Sequence, residues 1–163
     1  MPKRKFTLKT ERRRLPNGVT RTIRMIDHPG AVLIVPFVNS RRVILLRQYR
    51  PALRAYLHEF PCGTLEAGER PLACARRELA EESGFGARSW KKLGEIFTAP
   101  GFTNEKIHLY AATDLFVRQA DRDPDEIISV TDVSRDDIKD MLRRGRLRDA
   151  KTLCALALCG WHV

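Results

Sequence analysis

Apolar and charged residues partly alternate on both sides of Pro16-Asn17-Gly18, over Lys5 to Leu15 and Val19 to Ile26. A period of two around such a turn predicts a pair of strands. His28-Pro29-Gly30 breaks the pattern. Ala31 to Val38 is then almost continuously apolar, the mark of a strand buried on both faces, and Val43 to Arg47 predicts a second strand after the polar turn Asn39 to Arg42. Further on the period changes. Leu72, Ala75 and Leu79 recur at helical spacing, the stripe of a helix that lies against a sheet. Pro71 suits its first turn, where a missing N–H costs little, and Gly84 suits its end. Trp90 to Phe97 and Lys106 to Ala112 predict two more strands, with a loop from Thr98 to Glu105 between them. An acidic loop, Asp121 to Glu126, precedes the β-branched run Ile127 to Val133. Two helical patterns close the chain, Ser134 to Arg144 and Asp149 to Leu158, separated by Gly145; Ser134 with Asp137 offers a capping-box-like start to the first. With no repeat, low-complexity tract or linker, this order predicts one mixed α/β domain.

At 163 residues with 43% hydrophobic content, the chain is long enough to bury a core of its own. No apolar run approaches the length of a membrane span. Cys62, Cys74, Cys154 and Cys159 lack CxxC spacing, which argues against a zinc site; with nothing resembling a secretory signal, reduced thiols in the cytoplasm are expected. Charge alters the picture at one end. The formal net charge is +10, and residues 1 to 24 hold Lys3, Arg4, Lys5, Lys9, Arg12, Arg13, Arg14, Arg21 and Arg24 against the single acid Glu11, so the rest is close to neutral. Such an arm could meet nucleic acid, an acidic surface or substrate phosphates. The turn inside it argues against a transit peptide, and the lack of interleaved aromatics argues against a nucleic-acid platform, so a solvated strand pair is the plainer reading.

The densest chemistry runs from Gly63 to Phe85. Glu78, Glu81 and Glu82 fall on neighbouring rows of one helix surface, where like charges repel. Arg76 and Arg77 neutralise part of that charge but point to adjacent angles. A solvated, salt-bridged face is one reading; a divalent cation that prefers several hard oxygen ligands is the sharper one.

The glycine-punctuated loop in front of the helix favours the cation, because the whole stretch resembles the Nudix box. Gly63, Glu69, Arg77, Glu78, Leu79, Glu81, Glu82, Gly84 and Phe85 fill every required position. That resemblance implies the Nudix fold: an α/β/α sandwich with a mixed sheet, the box helix on one face and the C-terminal helices on the other. It also implies roles. Glu78 and Glu82 would be metal ligands, with Glu81 a ligand or a water-mediated neighbour and the carbonyl of Cys62 completing the shell. Arg77 would orient the carboxylates, Glu69 would hold the fold, and Gly63 and Gly84 would shape the loop and the helix end. The cofactor implied is Mg²⁺, with Mn²⁺ as the alternative.

Beyond the box, the chain resembles the ADP-ribose pyrophosphatase branch of that family. The likeness rests on His28-Pro29-Gly30-Ala31-Val32, Arg47-Gln48-Tyr49-Arg50, Glu59, Asp149-Ala150-Lys151-Thr152 and Pro100, fifteen residues past the last box position. It implies hydrolysis of a nucleoside diphosphate sugar, ADP-ribose first, to AMP and ribose 5-phosphate. Glu126 is the candidate base, with Asp125 and Asp123 as rivals. Arg50, Glu59 and Glu105 are the candidate substrate contacts; Arg47 and Arg54 compete with Arg50, and Phe102 or Tyr49 could stack on a base. His58 and His108 read as structural. Residues 1–27 would form a basic hairpin that joins two copies into a homodimer, ahead of a hydrolase domain over 28–163. Competing readings are another nucleotide sugar such as GDP-mannose or ADP-glucose, RNA 5′ ends, or a silent nucleotide-sensing module. The intact box speaks against the last.

Overall fold

The computed structural model describes residues 6–121 and 125–161. The first hairpin forms as the alternation predicts: β1 (Thr7–Arg14) pairs antiparallel with β2 (Thr20–Asp27) in a two-stranded sheet of their own. Leu15 and Val19 close the turn, with the Leu15 N–H donating to the Val19 carbonyl at 2.8 Å.

The main sheet is built on β3 (Ala31–Asn39), whose first six residues are all buried. Its odd residues Ala31, Leu33 and Val35 pack into one core with Ile138, Met141, Ala155, Leu156 and Trp161. Its even residues Val32 and Ile34 pack into a second core with Cys74, Ala75 and Leu79. The side-chain alternation of one strand therefore serves both layers of the sandwich. β4 (Arg42–Arg50) and β5 (Ala55–Glu59) lie to one side; β8 (Lys106–Val117) and β7 (Phe85–Phe97) lie to the other, giving the order β5-β4-β3-β8-β7. The β3–β8 pair is parallel and the others are antiparallel, so the sheet is mixed, as expected. β9 (Ile128–Ser134) adds to β4.

The box helix α1 (Pro71–Ser83) covers the second core. Pro71 occupies its first turn, and Gly84 ends it at φ 76°, a left-handed conformation that costs a glycine little. On the opposite face lie α2 (Arg135–Arg143) and α3 (Ala150–Leu158). Ser134 caps α2 through the full reciprocal box with Asp137, and Asp149 caps α3 by accepting from the Thr152 N–H at 3.0 Å.

The structure differs from the pattern reading at several places: β5 is a strand the pattern did not predict, and β4 runs from Arg42 to Arg50 rather than Val43 to Arg47. Cys62–Thr64 is a short strand, β6, that pairs with Ala31, Val32 and Leu33, so the first residues of the box lie on the sheet rather than in a free loop. β7 starts at Phe85 and β8 runs on to Val117, because these strands continue as a ribbon that is largely exposed and carries no apolar alternation to reveal it. The loop before β8 is tied to the hairpin: the Ile26 N–H donates to the Phe102 carbonyl at 2.8 Å, and Ile26 bridges to Thr103.

Leu79 is fully buried at the centre of the helix–sheet contact. Leu79→Ala is expected to cost about 2–5 kcal/mol, read as a lower urea midpoint with an unchanged slope.

Candidate active site

Two elements meet at the site. β6 runs beside β3 and carries the backbone of Cys62, Gly63 and Thr64 along the flank of α1. The Cys62 N–H donates to the Glu82 carboxylate at 2.7 Å, so a residue in the last turn of the helix is held by the strand that precedes the loop. Glu82 is 2% exposed. Burial pushes its carboxyl up to about 8; the Cys62 N–H opposes this, and the negative charges of Glu78 and Glu126 add to it.

Gly63 has a steric reason to be glycine. A Cβ built there would lie 1.8 Å from the Glu78 carboxyl carbon, so the missing side chain leaves the space that this carboxylate fills. Arg77 then ties the acids together. Its guanidinium donates to both oxygens of Glu69 at 3.0 and 2.9 Å, to Glu78 at 2.6 Å and to Glu81 at 3.0 Å. Arg77 thus reaches over more of the cluster than the spacing of two adjacent arginines suggested, because its long stem lets the guanidinium lie across the loop and the helix at once. Arg76 is exposed. The Glu69 carboxyl falls to about 2, chiefly through the hydrogen bonds from Arg77.

This donor set fits a hard divalent cation. Its groups are carboxylates, and one raised by burial and by two like charges is stabilised by a nearby positive ion. In the arrangement present, Arg77 takes oxygens of Glu78 and Glu81. Among the described residues no three acidic, histidine or cysteine groups already point at one centre. A cation held by Glu78 and Glu81 would therefore compete with Arg77 for the same oxygens.

The substrate candidates separate into two groups. Arg50 donates to both oxygens of Glu59 at 2.8 and 2.7 Å, and Lys151 also donates to Glu59. Glu59 is 1% exposed. Burial opposes its charge, and the two cations overcome this and hold it below the ordinary carboxylate range. Arg50 keeps about a third of its side chain in solvent. Its rival Arg47 stacks on the Tyr56 ring at 3.7 Å; Tyr56 in turn meets Tyr49 edge-on, and Arg54 is exposed.

Glu105 belongs to the second group, on the loop before β8. It accepts from Thr98 Oγ1 at 2.7 Å and lies 3.5 Å from His28 Nε2. His28 Nδ1 accepts from the Gly30 N–H at 3.1 Å, so the imidazole proton belongs on Nε2, toward Glu105. Phe102, on the same loop, is 58% exposed. Among the acidic-loop candidates, Glu126 is half-buried and its charge acts on Glu82, Asp125 is exposed, and Asp123 lies outside the described residues. His108 Nδ1 lies 3.0 Å from Glu95.

Lys151 is the charged residue that the sequence did not single out for a role. The available signal was its place in the first turn of α3, where a positive charge opposes the helix dipole and calls for an acidic partner.

This strand, loop and helix, with the acids clustered on Gly63 and Cys62, define a Nudix-type hydrolase. The chain belongs to the NUDIX family, whose NUDIX domain model matches residues 27–156. Among its relatives, the ADP-ribose pyrophosphatase of Bacillus subtilis (strain 168) is 35% identical over 144 residues, covering 87% of this chain and 78% of that protein. The methanol dehydrogenase activator of Bacillus methanolicus is 36% identical over 144 residues, with the same shares covered. A crystal structure of an ADP compounds hydrolase superposes with a TM-score of 0.80 at 29% identity, covering 97% of this chain and 86% of that one.

Two outcomes follow from the geometry. In Gly63→Ala the new methyl displaces a flexible carboxylate rather than backbone, so stability should fall by no more than about 1 kcal/mol while divalent-cation affinity, read by titration calorimetry, drops at least ~tenfold. The second concerns acid. Glu69 is held below its ordinary 4.5, at about 2, so the stability it contributes is fully present above pH 4.5 and is lost as pH falls toward 2. Arg77→Ala should flatten the acid limb of Tm against pH over that window.

Proposed function

We propose that this chain hydrolyses the diphosphate of ADP-ribose to AMP and ribose 5-phosphate. The observation that carries the reading is the complete box folded into one site, with Glu82 buried on the Cys62 N–H and Glu78 seated over Gly63. The sugar nucleotide itself follows from the likeness to ADP-ribose pyrophosphatases.

The barrier in this reaction is charge. Anionic phosphate oxygens repel a nucleophile, so the site must place positive charge on them and take a proton from water. A Mg²⁺ or Mn²⁺ ion held by Glu78, Glu81, Glu82 and the Cys62 carbonyl would supply that positive charge and make a water more acidic. Arg77 sets the directions of Glu78 and Glu81 through its guanidinium, and Glu69 braces Arg77 from the loop. Glu126, half-buried and electrostatically close to Glu82, is the group we assign to receive the proton. Arg50 offers its solvent-facing edge to the diphosphate, held in orientation by Glu59. Glu105, fixed by Thr98 and adjacent to His28, is the acceptor we assign to a substrate hydroxyl or amine.

We place the chain in the cytoplasm as a homodimer. All four cysteines are free, which suits a reducing compartment, and no helix among the described residues is long and apolar enough to cross a membrane. The β1–β2 ribbon exposes Phe6 and Leu8 and forms a two-stranded sheet, a shape that gains stability against a second copy. We assign it no nucleic-acid role.

With ADP-ribose, GDP-mannose, ADP-glucose and a 5′-triphosphate RNA offered alongside Mg²⁺, AMP should be released chiefly from ADP-ribose, and a chelator should abolish the release. Glu82→Gln should lose at least ~10³-fold in kcat while keeping its fold by circular dichroism. Activity close to wild type in that variant would remove Glu82 from the site.

A further inference from the structure

Lys151 keeps only 15% of its side chain exposed, and its ammonium donates to Glu59 and to Asp149 Oδ1, the latter at 2.8 Å. The next residue, Thr152, is fully buried. Its Oγ1 accepts from the Phe60 N–H at 3.1 Å and donates to Asp149 Oδ2 at 2.7 Å. Two consecutive residues of α3 therefore grip two consecutive residues of the chain that leads into β6. The corner continues in the same way. The Pro61 carbonyl accepts from the Ile34 N–H at 2.9 Å, and the Cys62 N–H donates to Glu82 at 2.7 Å. On its other side, Glu59 holds the Arg50 guanidinium with both oxygens.

We propose that Lys151 is a positioning residue of the active site, acting through Glu59 to fix both the Arg50 guanidinium and the Glu59 to Cys62 corner whose N–H holds Glu82. The proposal rests on the hydrolase reading of the site given above. Its physical basis is the buried carboxylate. Glu59 is shared by two cations from different parts of the fold, β4 and α3. With Lys151 gone, the buried charge has lost one cation and draws Arg50 inward, away from the face turned to solvent. Thr152 pins the corner at Phe60, and Lys151 pins it one residue earlier, so the direction of the Cys62 amide depends on both. A salt bridge that served stability alone would not couple to Arg50 or to the Cys62 amide.

A double-mutant cycle on the full chain separates these roles. Lys151→Met, Glu59→Gln and the double variant are compared for kcat and KM on ADP-ribose at saturating Mg²⁺, for Tm, and, without metal, for amide hydrogen exchange at Phe60 and Cys62. Lys151→Met should lower kcat/KM at least ~tenfold, and the double variant should fall within about twofold of Glu59→Gln alone, because the lysine acts only through that carboxylate. Lys151→Arg should restore most of the activity. In the metal-free protein the Cys62 amide should exchange at least ~tenfold faster in Lys151→Met, while Leu33 in β3 is unchanged. Wild-type kinetics together with unchanged Cys62 exchange in Lys151→Met would overturn the proposal, as would losses that multiply in the double variant. If Lys151→Met is too unstable to purify, the double variant against Glu59→Gln tests the same coupling: equal activity supports it and a further loss overturns it. If the wild-type chain leaves ADP-ribose intact, the hydrolase reading falls on its own, and the exchange pattern across the four proteins decides the coupling.

Discussion

The Glu82 carboxylate on the Cys62 amide is the contact on which the site depends. It joins the last turn of the box helix to the short strand before the loop, and it does so out of solvent, where a hydrogen bond is strong and a lost one is costly. The price is a carboxyl whose ionisation is opposed first by burial and then by the charges of Glu78 and Glu126. That tension gives the site its chemistry. A cluster of acids held together, rather than relaxed into water, is what the proposed uptake of a hard cation would require.

Arg77 balances the cluster from the other side. Its guanidinium spans Glu69 on the loop and Glu78 and Glu81 on the helix, so it fixes the loop against the helix and neutralises charge at the same time. If Glu78 and Glu81 hold a cation as proposed, the same hydrogen bonds make Arg77 its competitor. In the proposed reading, metal uptake would be an exchange of partners among oxygens already ordered, with the cost of ordering them met by folding.

Behind the acids lies a second layer of charge. Glu59, Arg50, Lys151 and Asp149 form a chain of ion pairs running from β4 to the cap of α3. It links the helix layer on one face of the sheet to a corner that serves the helix on the other. Residues far apart in sequence thereby act on one amide, and the sandwich becomes a frame that sets directions within the site.

The residues alone determined much of this protein. The continuous apolar run of β3, the stripe of α1, the cap of α2 and the Pro16-Asn17-Gly18 turn are local signals, and each formed where the pattern placed it. The box was legible for the same reason: Gly63, Arg77 and the three glutamates act at short range, across one loop and one helix. The limits of β7 and β8 were not legible, because an exposed ribbon has no buried face to impose a period. Nor was the fate of Glu59 and Lys151, ninety-two positions apart. A lysine at the start of a helix and a glutamate at the end of a strand each look like surface residues. Only the tertiary structure decided that they share a buried site, because burial and ion pairing at that range depend on how the layers pack and leave no mark in the local pattern.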